Sequence, residues 1–383
     1  MKALRRLRAR RIAMPKSLAR MTIAAALALA SFSTDEASGQ CMQWDVYPGF
    51  DATAGVRNLR VLDIGSGPKM FVAAGYGVGQ WTRAGWGQSI WSTVGGQGFD
   101  DVVHCVGTYN SGSGPQLYAG GQFSETGITH NPAFRLAKLV NQAWVGWGIP
   151  AVGGIVYALT EFDDGFGPKL FIGGGFQTYS SLNSLSLVTW NGTAWGGVGG
   201  GLAAIAPNFP IVNTMCVFDD GTGPALYVAG HFTSAGGITV NHIAKWNGTN
   251  WAPLGSGVSL TLPGWSPRIA AMTGFDDGTA PALYVCGLFD HAGGVSADSI
   301  AKWDGANWSA VPGISGTPYN VQGRSITSHD DGNGPALYVG IDLPAYIGQS
   351  QVNGVARWDG QSWSGLGGGF RGFAWALGSF DDS

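Results

Sequence analysis

Between Val212 and Val258 the apolar residues fall in four short bursts, each closed by turn residues. Val212 to Phe218 is apolar enough to be covered on both faces, as in a buried strand. It stops at Asp219-Asp220-Gly221-Thr222-Gly223-Pro224. In such a turn Asp bonds its own backbone, Gly supplies positive φ, and Pro fixes φ at the entry to the next strand. Ala225 to Ala229 is the second strand, followed by a longer loop through Ala235-Gly236-Gly237. His242 to Trp246 alternates, with Ile243 and Lys245 on one face and Ala244 and Trp246 on the other. Asn247-Gly248 is a hairpin turn. Trp251 to Leu254 is the fourth strand, ended by Gly255-Ser256-Gly257. Four short antiparallel strands per unit is the pattern of a β-propeller blade.

The unit recurs. Phe218 to Val228 returns as Phe275 to Val285, in degraded form as His329 to Val339, and earlier as Phe162 to Ile172. The period, roughly 54 residues, belongs to solenoids, propellers and arrays. First strands are predicted to start near Asn58, Val103, Val156, Val212, Ala270 and Ser325. Tryptophans five apart keep the same phase: Trp86/Trp91, Trp190/Trp195, Trp246/Trp251, Trp303/Trp308 and Trp358/Trp363, with Leu139/Trp144 in the second repeat. Across a two-residue turn such pairs meet on adjacent strands, as filling between blades.

The ends carry partial units. Trp44 to Phe50 resembles a lone fourth strand, and Phe373 to Phe380, followed by Asp381-Asp382, a lone first strand. The expected fold is therefore all-β: a propeller of four-stranded antiparallel blades over residues 40–383, with six full repeats and a split seventh blade. Segments 44–50 and 373–380 would supply its outer and inner strands. The chain would then stop inside that blade, about 30 residues short of completing a unit. A ring of six blades with two spare strands is the competing arrangement.

Composition narrows the class. Gly is 64 of 383 residues, far above the usual ~7%, and charged residues are 12% against ~25%. Sixteen Trp exclude a disordered Gly-rich chain. Residues 1–39 read as a secretory signal: eight Lys/Arg and no acid in the first 20, an apolar run from Thr22 to Phe32, and small residues at Ala37-Ser38-Gly39 or Ala28-Leu29-Ala30 for cleavage. The run is too short to cross ~30 Å of hydrocarbon. A secreted, periplasmic or cell-surface protein without a stable membrane span follows. Beyond residue 39 there are 13 Lys/Arg against 22 Asp/Glu, a formal charge of −9. An acidic chain without a basic stripe argues against nucleic acid. Cys41, Cys105, Cys216 and Cys286 form no C-x-x-C pair. Cys105 and Cys216 read as equivalent positions two repeats apart, and Cys286 takes the place of Ala229 and Gly173. Buried small residues, or a disulfide, are the two alternatives.

Candidate chemistry is sparse. Asp163-Asp164, Asp219-Asp220, Asp276-Asp277 and Asp330-Asp331 sit in turns of different repeats and lack the alternating acids of a calcium loop. No carboxylate pair, H-x-H, H-E-x-x-H or G-x-S-x-G element stands out. No catalytic residue, metal ligand or cofactor is assigned. The segments joining one repeat to the next vary most and carry Phe209, Trp265 and Tyr319, which the repeat does not require. Loops on a rigid scaffold commonly bind, and aromatics there can stack on sugar or peptide.

The Leu-Tyr-Val-Ala-Gly-x-Phe…Ala-Gly-Gly…Asn-x-Ile-Ala-Lys-Trp-Asn-Gly…Trp-x-x-Leu-Gly pattern, strongest in repeats 4 and 5, resembles kelch-like propeller repeats of secreted bacterial proteins. It is also similar to the propeller repeat of fungal cortical polarity markers. Repeats 1 and 2 depart from it, and repeat 1 lacks the Ala-Gly-Gly loop. The resemblance implies a shared scaffold and carries over no catalytic residue. A non-enzymatic binding or structural module follows, with an extracellular carbohydrate or protein as partner. The alternative is a propeller enzyme: a glycosidase, a lyase or an oxidase of the galactose-oxidase type.

Overall fold

The computed structural model describes residues 55–380 except 85–87, 97, 128–130, 179, 206–207, 313, 316–321, 342–344, 348–349, 353 and 367–373, together with Thr22–Ile23. Trp44 to Phe50, the rest of the 1–39 segment and Phe373 lie outside the described residues. Thr22–Ile23 pair antiparallel with Ser379–Phe380. The described residues are all-β, with a 3-10 turn at Ser180–Leu182 and no α-helix among them.

Six sheets have four antiparallel strands lying in chain order. Their first strands are Val56–Asp63, Val103–Asn110, Ala151–Asp163, Ile211–Asp219, Arg268–Asp276 and Gly323–Asp330. The third starts earlier than its apolar pattern suggests, because Ala151 and Val152 pair with Thr178 and Gln177 on an extended second strand. First strands of consecutive sheets lie against one another from the first sheet to the sixth.

The core is divided into seams between neighbouring sheets. Phe162, Phe171 and Leu187 of the third sheet pack with Met215, Leu226, Val228, Trp246 and Trp251 of the fourth. Tyr227 and Ile243, on the other face of the fourth sheet, pack with Met272, Leu283, Trp303 and Trp308 of the fifth. The alternation along His242–Trp246 therefore sends Trp246 to one seam and Ile243 to the next. The tryptophan pairs fill these seams: Trp246/Trp251 and Trp303/Trp308 are cross-strand partners with ring centroids 5.1 and 5.3 Å apart.

The first sheet departs from the expected pairing. Trp91 lies opposite Trp81, not Trp86, which falls outside the described residues. Without the Ala-Gly-Gly loop, the third strand starts straight after Gly75-Tyr76 and runs Gly77–Ala84. Trp81 then pairs with Met70, as Trp246 does with Leu226. The cysteine equivalence also fails. Cys105 is opposite Gly120, as Thr214 is opposite Ala229, whereas Cys216 lies two residues further along, opposite Tyr227. Both strands carry their bulge at the same place, so counting from Val103 and Val212 matches Cys105 with Thr214, not Cys216. Cys286 does match Ala229 and Gly173 in register. Cys105, Cys216 and Cys286 are free thiols.

Two kinds of joint link neighbouring sheets. At one end, the glycine of the third-to-fourth-strand turn in the third to sixth sheets meets the first turn of the preceding sheet. A Cβ on Gly305 (φ +98°) would sit 2.9 Å from the Asp220 carbonyl, and one on Gly360 (φ +96°) 2.5 Å from that of Asp277. At the other end, the loop read from sequence as irregular is a small hairpin. Ser234–Ala235 pairs with Ile238–Thr239 around Gly236-Gly237, and also with Leu202–Ala203, which arrives from the third sheet. The fifth sheet repeats this with His291–Ala292 and Val258–Ser259.

The segment from Ala374 onward touches both ends of the series. Ser325 Oγ donates to the Ala374 carbonyl at 2.7 Å, and Ala374 and Leu377 pack with Ala336, Tyr338 and Val355 of the sixth sheet. A side chain at Gly378 would run into Leu59 of the first sheet.

Candidate functional site

Each first strand carries a β-bulge near its start. Pairing breaks between Val56 and Asn58, Val103 and Cys105, Val156 and Ala158, Val212 and Thr214, Ile269 and Ala271, and Gly323 and Ser325. A bulge leaves one residue unpaired and re-aims it. Those residues are Arg57, His104, Tyr157, Asn213, Ala270 and Arg324. In every case the residue before is buried and the bulged one is partly exposed. Ala374 and Trp375 repeat that contrast in the C-terminal segment.

Most of these side chains meet. The Arg57 guanidinium lies 5.2 Å from the Trp375 ring centroid and that of Arg324 lies 4.5 Å from it, both within cation–π range. The His104 and Tyr157 rings form an edge contact at 5.0 Å. Burial holds the His104 imidazole at about 4, below its ordinary 6.5; Arg57 adds to this, and Asp101 opposes it. Burial raises the Tyr157 phenol, with Arg57 opposing. Asn213 Nδ2 donates to the Ile269 carbonyl at 3.2 Å, and Arg268 Nη2 to Gln322 Oε1 at 3.0 Å, tying neighbouring first strands.

Further along the first strand of the first sheet is Arg60. Burial pushes the Cys105 thiol up to about 12 and that of Cys216 to about 11, and in both cases Arg60 pulls the other way. One guanidinium thus acts on first strands of the second and fourth sheets. High thiol pKa values mark inert, structural cysteines. Cys105 Sγ approaches the Gly120 and Val156 carbonyls at 3.7 and 3.8 Å. The first strands carry Arg57, Arg60, Arg268 and Arg324, and before their closing turn residues the one carboxylate is Glu161.

Of the aromatics singled out in sequence, Phe209 is 60% and Trp265 58% exposed. They precede the first strands of the fourth and fifth sheets, at the same end as the bulges, on separate crossings. No ring contact joins them among the described residues, and Tyr319 lies outside those residues. The paired aspartates are occupied by their own turns. Asp219 Oδ1 accepts from the amides of Gly221 and Gly223, both at 2.9 Å. Asp220 accepts from Lys245, from Thr222 and from the Tyr227 hydroxyl at 2.7 Å. Asp277 with Lys302 and Tyr284, and Asp331 with Arg357 and Tyr338, repeat the arrangement. No three His, Cys, Asp or Glu converge as a metal site among the described residues.

Sequence reasoning missed Arg57, His104, Tyr157, Arg324 and Trp375. A bulge breaks the two-residue period, so alternation cannot say where its residue points. Stacking the repeats on the Asp-Gly turn and counting back would have aligned them.

No protein-family model matches the chain, and no curated protein matches it. Among solved structures it is similar to two of the extracellular domain of BT4673 from B. thetaiotaomicron, described once as a hybrid two component system and once as a one component system. Identity is 10% and 11%, and the TM-score 0.48 and 0.49. Each match covers 84% of this chain and 35% of the other, so this chain spans about a third of the length of that extracellular domain.

Proposed function

We propose that the chain is a secreted, non-enzymatic β-propeller that binds an extracellular carbohydrate or protein on the face carrying the bulges and crossings. Residues 1–39 serve as its secretory signal. The six sheets are blades, and the strand from residue 374 is the innermost strand of a seventh. Trp375, shared between Arg57 of the first sheet and Arg324 of the sixth, supports this closure.

The binding role rests on one contrast. The frame repeats closely, with the same buried position, bulge, turn and tryptophan pair in sheet after sheet. The residue presented at the bulge does not repeat: Arg, His, Tyr, Asn, Ala and Arg occupy equivalent places. Phe209, Trp265 and Tyr319 vary in sequence in the same way; Phe209 and Trp265 are exposed, and aromatics on a rigid frame are suited to stacking on a ligand.

Two measurements test the proposal. Residues 40–383 closed into a ring should scatter with a radius of gyration of about 20 Å; a markedly larger value refutes the ring. On a panel of neutral and acidic glycans, wild-type protein should retain at least one, and the Phe209→Ala/Trp265→Ala variant should retain it less. A panel with no retained glycan, repeated on a secretome peptide library, removes the binding role.

A further inference from the structure

We infer that the bulged residues form a site for a carboxylate-bearing sugar, its carboxylate held by the Arg57 and Arg324 guanidiniums that share the Trp375 ring. This rests on the binding role proposed above and names its ligand class.

Two guanidiniums beside one indole repel each other, and among the described residues no carboxylate pairs with Arg57. Its Nε is buried and meets no acceptor in the protein. The His104 Nε2 is likewise buried without a partner. Buried polar groups are nearly always paired. Unpartnered nitrogens also occur elsewhere, as at Trp303 and His329. At the bulge level, however, two of them lie beside a second guanidinium, and it is this conjunction that points to a group arriving from outside. A guanidinium within cation–π range of a ring can still offer N–H donors, and Nε with one Nη matches the two oxygens of a carboxylate.

The surrounding charge agrees. Arg60 and Arg268 add to Arg57 and Arg324, although the chain after residue 39 has a formal charge of −9. An opening of one sign in a low-dielectric wall concentrates the opposite ion. Asp101, which acts on His104, and Glu161, further along the third sheet's first strand, are carboxylates that oppose this. The remaining members of the set are neutral hydrogen-bonding groups: Asn213, the Tyr157 hydroxyl and the uncharged His104 imidazole. One carboxylate beside several hydroxyls is the chemistry of a uronic acid, and it uses both halves of the set.

Titration calorimetry of the wild-type chain with trigalacturonate should show saturable binding. The fully methyl-esterified trisaccharide, which keeps every hydroxyl and loses the charge, should bind about tenfold more weakly or worse. Arg57→Gln and Arg324→Gln should each weaken trigalacturonate by about tenfold or more. Arg57→Lys keeps the charge but not the fork; it serves if the Gln variant fails to fold, and should also lose affinity. Wild-type protein that does not bind trigalacturonate overturns the inference. So does equal binding of acid and ester, or binding of a free C-terminal peptide carboxylate in preference to the sugar acid. If neutral glycans bind and trigalacturonate does not, the uronate site is lost and the carbohydrate-binding role stands. If no glycan or peptide binds, both fall.

Discussion

Trp308 of the fifth sheet donates its indole N–H to the carbonyl of Leu254, at the end of the fourth sheet, over 2.7 Å. Trp363 makes the same bond to Pro312 at 2.9 Å, and Trp144 to Val94 at 2.8 Å. The second tryptophan of each of these repeats is therefore both filling and a polar tie to the sheet before it. Trp308→Ala, or Trp303→Ala beside it, should cost about 3–5 kcal/mol, as for large core aromatics. Trp308→Phe should keep most of the packing, lose the tie and cost about 1–2 kcal/mol. Urea unfolding midpoints at constant slope measure both; equal midpoints for the Phe and Ala variants would show that the bond, not the packing, carries the stability.

The glycine joints give a second expectation. Gly278 (φ +89°) has open space where a Cβ would be, whereas Gly305 (φ +98°) has the Asp220 carbonyl 2.9 Å away. Gly278→Ala should cost about 1–2 kcal/mol for the left-handed backbone alone. Gly305→Ala should cost more, because the fifth sheet must also move away from the fourth. Thermal melts of the pair separate strain from crowding, and identical shifts would refute the joint.

Acid should loosen the turns. Burial works against the Asp220 carboxylate, but hydrogen bonds from Lys245, Thr222 and Tyr227 overcome it and hold the group at about 2, below 3.8. A folded pKa below the unfolded one gives stability that is complete above about pH 4 and lost as pH falls through about 2. Asp277 is lowered in the same way, burial opposed by Lys302, Thr279 and Tyr284. Asp220→Asn should cost about 1–2 kcal/mol at neutral pH and flatten the stability profile below pH 4. Calcium should leave the melting temperature unchanged, since the turn carboxylates already have partners; a shift abolished by Asp220→Asn would contradict this.

Two histidines set a separate window. Burial lowers His242 to about 4, with His231 adding and a bond to the Gly230 carbonyl opposing; His104 is also at about 4. An unfolded histidine takes its proton near 6.5, so stability should decline as pH falls from about 6.5 to about 4. His242→Asn should reduce that slope. A denaturant midpoint flat across the window would show that neither histidine is held neutral.

The frame was legible because its causes are local. Val212 to Phe218, the Asp219-Asp220 turn and the Trp246/Trp251 spacing each specify a strand or turn by neighbouring residues. The hairpin at Ser234–Thr239 escaped because two-residue strands leave no alternation to read. Its pairing with Leu202–Ala203 depends on a residue pair more than 30 positions apart in the chain. The bulge residues escaped for a different reason. Arg57 and Arg324 are ordinary surface residues in sequence, and only Trp375, over 300 positions from Arg57, brings them to one place.

The joints between sheets also bear on how such a chain can grow. Each of the fourth to sixth sheets offers a glycine turn to its predecessor and a hairpin to the strand arriving from it. Both halves of the next joint, the Asp turn and the departing strand, lie within the same stretch of sequence. A gene segment of one repeat length, copied in tandem, therefore arrives with compatible couplings at both borders. The near identity of Phe218–Val228 and Phe275–Val285 is what a recent copying of that kind leaves behind. Divergence is then free to act where neither joint nor strand pairing fixes the residue, at the one bulged residue that each first strand leaves out of register.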